Sequence, residues 1–166
     1  MIDARLAQEF LAQRRLAVVG ASDHPQSFGR TVYCALRDHG HEVVAVNPTC
    51  EIVAGDRCYA DLASVPGDID GVVVMVHRDR AADVVRAAAA RGIGRVWLFK
   101  GLGGPGAVSD DALESCAIHG IDVVAGACPM MFLEPVGWFH RVHRTARRMN
   151  GSLARVPVVV ADQRGQ

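Results

Sequence analysis

The sequence predicts an α/β fold: a single doubly wound, mostly parallel sheet with helices on both faces. Three observations point there. Apolar runs of strand length recur, rich in valine and nearly continuous, as strands buried on both faces read. Helix-length stretches separate them, which favours parallel pairing over hairpins. Those stretches end at glycines, the natural residue just past a helix C-terminus.

The elements follow in order. The N-terminus, MIDARLAQEFLAQRR, sets apolar residues among charges at helical spacing. RLAVVG (15–20) is the first strand. SFGRTVYCALRDHG (27–40) is a helix with Val32 and Leu36 inward and a stop at Gly40. EVVAVN (42–47) is the second strand, and GDRCY (55–59) adds a short one. DGVVVMV (70–76) is followed by the alanine-rich helix DRAADVVRAAAARG (79–92), with Val84, Val85 and Ala88 on one side and arginines on the other. RVWLF (95–99) is the next strand. SDDALESCAIHG (109–120) opens on Ser109 as N-cap, carries acids in its first turn, and ends at His119 and Gly120 as C-terminal cap. IDVVAG (121–126) is the last clear strand. Right-handed crossovers make the arrangement Rossmann-like. With no internal repeat or linker, residues 1–166 read as one domain, its core about 12–134, with a C-terminal helix and tail at 135–166.

Composition narrows the function. Eighteen basic and eighteen acidic side chains balance, so no global field points to nucleic acid or an anionic membrane. Aromatics make up 5%, too few for base-stacking platforms. The first residues lack the pattern of a signal peptide, and no run reaches the roughly 18 apolar residues of a membrane span. A cytoplasmic location is expected. Five cysteines at scattered spacings read as reduced thiols rather than a disulfide frame.

In such folds ligands bind at the carboxyl ends of the strands, where the strand order reverses. After the first strand, Gly20 permits a tight turn, and Ser22, Ser27 and the free amides of the next helix form an anion site, with Arg30 adding charge. The dinucleotide fingerprint is absent, since Ser22 and Pro25 stand where its second and third glycines belong. The second strand ends at Asn47-Pro48, without the carboxylate that holds a ribose in NAD sites. Beyond the third long strand, His77 and Arg78 offer donors to a phosphate or carbonyl. Lys100, the only lysine in the chain, ends the RVWLF strand before Gly101 and a glycine-rich loop, where it can face an anionic ligand.

The order VVGAS, GHEVVAVNP, EIVAG, DLASVPGDIDGVVV, RVWLFKG and GIDVV leading to Cys128 resembles the CoA-binding domain family. This is a Rossmann-type family related to the nucleotide-binding domain of the succinyl-CoA synthetase alpha subunit. The resemblance spans about residues 12–134. It implies that the loop at Gly20, Ala21 and Ser22 receives the pyrophosphate of coenzyme A, and that Asn47 and Pro48 lie along its adenosine. The chain departs from many relatives at Thr49, where they carry a basic residue, and at Val76-His77, where they carry Phe-Arg.

The expected function is binding of coenzyme A or an acyl-CoA, as a carrier, sensor or regulator without catalysis of its own. The synthetase relatives use a phosphorylated histidine in a second domain not present in this sequence. Two alternatives remain: an NAD(P)-binding oxidoreductase-like protein, and an interaction module with a vestigial nucleotide pocket. In CPMMFLEPVGWFHRVHR, Cys128, Glu134, His140 and His143 are metal-ligand types, but His140 and His143 lie three apart rather than four. No metal is expected. Met130 to Leu133 with Trp138 and Phe139 read as an apolar plug. His140, Arg141, His143, Arg144, Arg147 and Arg148 read as a basic helical face, solvated or facing an acidic partner, a phosphate or a second subunit.

Overall fold

The computed structural model describes residues 3–101 and 106–133. Seven strands form one sheet: β1 (Arg15–Val19), β2 (Glu42–Val46), β3 (Ile52–Val53), β4 (Asp56–Tyr59), β5 (Gly71–Val74), β6 (Arg95–Phe99) and β7 (Asp122–Ala127), in the order β3-β4-β2-β1-β5-β6-β7. All pairs are parallel except β3 with β4. Four helices connect or flank them: α1 (Ala4–Leu11), α2 (Phe28–Asp38), α3 (Arg78–Ala90) and α4 (Asp110–Ile118). The doubly wound Rossmann-like sheet expected from the valine-rich runs is the fold observed. The segment from Glu134 onward, including Trp138, His140 and His143 and the basic face at Arg141, Arg144, Arg147 and Arg148, lies outside the described residues.

Helix ends follow the local chemistry. Ser109 Oγ accepts from the Ala112 amide, capping α4. α2, α3 and α4 each stop just before a glycine of positive φ, Gly40, Gly92 and Gly120. His119 caps α4 as expected, its Nδ1 2.8 Å from the Ser115 carbonyl.

Period-two alternation along the strands divides the core into two layers. Ala17, Val19, Val72, Val74 and Leu98 point toward α3 and α4, where Ala81, Val85, Ala112 and Cys116 meet them. Leu16, Val18, Val73 and Trp97 point toward α1 and α2, meeting Phe10, Val32 and Leu36. Trp97 is fully buried, with Phe10 and Phe132 edge-on to its ring at 5.4 and 5.6 Å. Its indole donates to the Ala127 carbonyl at 2.9 Å, so burial leaves no polar atom unpaired.

Two arginines hold the loop between β4 and β5. Arg15 donates to the carbonyls of Pro66 (2.7 Å) and Asp68 (2.8 Å). Arg91, at the end of α3, donates to those of Leu62, Val65 (2.6 Å) and Gly67 (2.6 Å). A forked guanidinium reaches several carbonyls at once, which an ammonium cannot do from one position.

The strand the sequence did not disclose is β3. It pairs antiparallel with β4 across a two-residue turn, Ala54-Gly55, with φ of +52° and +88°. Two residues carry no periodicity to read. The hairpin is fastened to α2 through Asp56, which accepts from the Tyr33 hydroxyl (2.8 Å) and Arg37 (2.6 Å). Those two bonds hold the Asp56 carboxyl below the usual carboxylate range, while burial and the bond to Asp56 push the Tyr33 hydroxyl up.

Among the described residues no helix is long and apolar enough to cross a membrane. All five cysteines are free thiols. Burial pushes Cys116 up to about 12, which keeps it an unreactive thiol at neutral pH.

Candidate functional site

The strand order reverses beside β1: α2 carries the chain to β2 on one side, and the chain later returns to β5 on the other. That reversal opens a crevice above the carboxyl ends of β1, β2 and β5.

Gly20 shapes its rim. Its amide donates to the Val46 carbonyl at 2.9 Å, and its φ is +95°. A Cβ there would stand 2.9 Å from the Met75 carbonyl carbon, so the first loop and the end of β5 touch backbone to backbone. Gly29, in the first turn of α2, makes a second close approach. A Cβ on Gly29 would lie 2.7 Å from the Gly20 oxygen and 3.0 Å from Ala21 Cα. Close helix–strand packing, the task of the last glycine in the dinucleotide fingerprint, thus falls to a glycine nine residues after Gly20.

The start of α2 faces the same loop. Ser27 is its N-cap but makes no side-chain capping bond. Ser22 Oγ accepts from the His24 amide at 3.2 Å, fixing the turn between them. Arg30 turns toward Asp23, Nε to Oδ1 3.5 Å. Asp23 in turn accepts from the Ala54 amide at 2.8 Å, tying loop, helix and hairpin together.

Asn47 joins the first two strand ends. Its Nδ2 donates to the Ala21 carbonyl at 2.7 Å. Its Oδ1 accepts from the amide (3.0 Å) and hydroxyl (2.8 Å) of Thr49. The side chain acts as a bracket that sets the Gly20 loop against Pro48.

Between these parts lies an open cleft of about 500 Å³, within the usual range for small-molecule sites. Gly20, Val46, Met75 and Val76 form its base and Asn47 and Pro48 one side. Asp61 and Leu62, just after β4, form another, and α3 closes it with Arg80, Asp83 and Val84. Arg80 Nε is 3.8 Å from Asp83 Oδ2, and Asp83 Oδ1 is 2.5 Å from Arg86. Asp61 Oδ1 accepts from the Ser64 amide at 2.8 Å.

Of the residues singled out from sequence, Gly20, Asn47 and Pro48 line this cleft. Ala21 is buried directly behind it, and Ser22, Ser27 and Arg30 belong to the loop and helix start beside it. His77 and Arg78 are exposed where α3 begins, with His77 Nδ1 3.1 Å from Asp79; neither is part of the lining, to which α3 contributes Arg80, Asp83, Val84 and Ala87. Lys100 and Gly101 follow β6, two strands from β1 and outside this lining. The Lys100 amide donates to the Ala127 carbonyl at 3.3 Å, and Gly101 packs near the Phe99 ring. Phe28, 59% exposed at the start of α2, reaches to 6.4 Å from Phe99 and links the two regions. Cys128, named above among the metal-ligand types, is buried.

Sequence reasoning missed Gly29, Asp61, Arg80 and Asp83. Gly29 left a signal: a glycine in the first turns of a helix has poor propensity and needs a packing reason. Arg80 and Asp83 read as ordinary solvated charges on a helix, and only the chain path brings them over the strand ends.

A family model described as CoA binding domain matches residues 14–134. An uncharacterized protein of Bacillus subtilis, YneT, is 27% identical over 125 residues, covering 75% of this chain and 89% of that protein. The solved structure of a hypothetical protein from Pyrococcus horikoshii superposes with a TM-score of 0.73 at 27% identity, over 81% of this chain and 92% of that one. The alpha subunit of an ADP-forming acetate–CoA ligase II from Pyrococcus furiosus is 29% identical over 99 residues, which are 58% of this chain but only 22% of the subunit.

Proposed function

Because the chain belongs to the CoA binding domain family, we propose that it binds coenzyme A or an acyl-CoA in the cleft above β1, β2 and β5, as a carrier, sensor or regulatory protein. The observation that carries this reading is the junction of Gly20 and Gly29 beside the cleft. It sets the uncapped start of α2 against the Gly20 loop, which supports a diphosphate site there. In this reading the diphosphate lies over Gly20, Ala21, Ser22 and Ser27, with Arg30 and Arg80 as the nearby cations. The adenosine runs along Asn47 and Pro48. The pantetheine arm leaves past Val76 toward His77, Arg78, Lys100 and Gly101.

A binding role without catalysis fits the chemistry of the lining. Among the described residues its ionisable side chains are Asp61, Arg80 and Asp83; Arg80 faces Asp83 and Asp61 accepts from the Ser64 amide, so none of them forms a nucleophile–base pair. The free thiols fit a reducing compartment such as the cytoplasm.

The test is a thermal-shift panel with coenzyme A, acetyl-CoA, NAD, NADP and ATP, on protein first shown by chromatography to carry no bound nucleotide. A ligand at about 100 times its Kd adds about 2.7 kcal/mol, a rise of roughly 5–10 °C for a domain of this size. A rise with coenzyme A species, reduced in Lys100→Ala and Arg80→Ala, supports the proposal. A rise with NAD or NADP alone makes the oxidoreductase-like reading the better one. A flat panel leaves a scaffold for protein contacts. Release of acetate from acetyl-CoA, absent in a Cys128→Ala variant, would overturn the non-catalytic part.

A further inference from the structure

We infer that the cleft selects an adenosine nucleotide whose ribose carries free 2′- and 3′-hydroxyls, and disfavours one phosphorylated at the 3′ position, with Asp61 as the residue that decides. The inference rests on the cleft being the coenzyme site and names the form of coenzyme that fits it.

The charge of the lining is the first argument. Its ionised side chains are Asp61, Asp83 and Arg80. Among the described residues Arg80 is the only basic side chain of the lining, and it is shared with Asp83 at 3.8 Å. A diphosphate can use Arg80 and the amides of α2. A phosphomonoester brings about 1.5–2 further negative charges near neutral pH; among the described residues the lining holds no second cation to receive them, and Arg30, on the diphosphate side, faces Asp23.

The position of Asp61 is the second. β4 pairs with β2 at Val46↔Tyr59, so the residues that follow each strand run side by side: Asn47-Pro48 from β2 and Ala60-Asp61 from β4. The wall that receives the adenosine therefore holds a carboxylate. Asn47 and Thr49 spend their side chains on each other and supply no positive charge.

Asp61 is also held in place. Its Oδ1 accepts from the Ser64 amide, and Ser64 Oγ donates to the Asp61 carbonyl at 2.9 Å. That fixes the carboxyl, through Oδ1, on the wall of the cleft. A fixed carboxylate beside a ribose accepts from its vicinal diol, as strand-end acids do in dinucleotide sites, and repels a phosphate placed there. In this chain the acid stands after β4 rather than at the end of β2.

Isothermal titration with coenzyme A and dephospho-coenzyme A tests this on three proteins: the unaltered chain, Asp61→Ser and Asp61→Lys. Serine can still cap the Ser64 amide, so the charge is removed without removing the cap. The unaltered chain should bind dephospho-coenzyme A at least tenfold tighter. Asp61→Ser should bring the two within about threefold, and Asp61→Lys should reverse the order, the reversal shrinking at high salt. Coenzyme A binding as tightly as its dephospho form in the unaltered chain overturns the inference and leaves the proposed function standing. An unchanged preference in Asp61→Ser overturns the role of Asp61. Binding of neither compound overturns the proposed function, and this inference with it.

Discussion

Alanine at Gly29 places a methyl group 2.7 Å from the Gly20 oxygen and 3.0 Å from Ala21 Cα. Ordinary contacts between such atoms begin near 3.5 Å, so α2 must withdraw by roughly 0.5–0.8 Å. Two effects oppose each other. Alanine favours the helix by at most about 1 kcal/mol over glycine. Overpacking costs about 1–3 kcal/mol, toward the upper end where both partners are backbone and cannot rotate away. The overpacking wins, for a net loss of about 1–2 kcal/mol, or a fall in Tm of roughly 2–8 °C. Urea unfolding followed by circular dichroism should show a lower midpoint with unchanged m. In the proposed reading the displaced α2 amides should also weaken coenzyme A binding about tenfold, the equivalent of about 1.4 kcal/mol of lost hydrogen bonding to the diphosphate. A higher midpoint with unchanged affinity would mean that propensity decides at this site and that the close approach has no consequence, which refutes the reasoning. Gly20→Ala adds a φ of +95° to a similar clash, and should lose more.

The other expected outcomes are these. Arg91→Lys keeps the charge but cannot bridge the carbonyls of Leu62, Val65 and Gly67; urea unfolding should show a loss of about 1.5–3 kcal/mol. Ala54→Asn suits the left-handed turn position before Gly55 and should raise Tm by roughly 1–4 °C, corresponding to about 0.5–1 kcal/mol of relieved strain. Asp56 has a folded pKa below its unfolded value, so it contributes stability above about pH 4, and loses it as pH falls through the folded value. Unfolding measured from pH 7 to pH 3 should therefore show the unaltered chain more stable than Asp56→Asn at neutral pH, the gap closing in acid.

Much of this fold was legible because both faces of the sheet are covered. Strands such as Leu16–Val19 and Val72–Val74 are buried on each side and so read as unbroken apolar runs. The glycines at 40, 92 and 120 mark helix ends through their own backbone chemistry, which any sequence displays. The cleft was half legible for a related reason. Gly20, Asn47 and Pro48 follow directly on strands, so locating the strand locates the residue. Asp61 and Arg80 do not have that property. Asp61 depends on β4 pairing with β2 in one register, and Arg80 on which side of α3 turns toward the strand ends. Neither the pairing nor the helix rotation is written in local composition, because exposed charges satisfy many arrangements equally well.

The central place of β1 has a consequence for assembly. Leu16 pairs with Val43 on one side and Gly71 on the other, partners 27 and 55 positions away. No hairpin offers β1 a nearby companion, so both of its edges stay open while the intervening chain is still being made. Distant pairings of this kind slow folding and prolong the time that apolar strand edges face water. The β1–β5 contact is the later of the two during synthesis, and it is the one that creates the crevice. A nascent chain shorter than about seventy-five residues has the glycine loop but no cleft beside it, so the ligand proposed for the cleft can favour only the chain that has already closed its sheet.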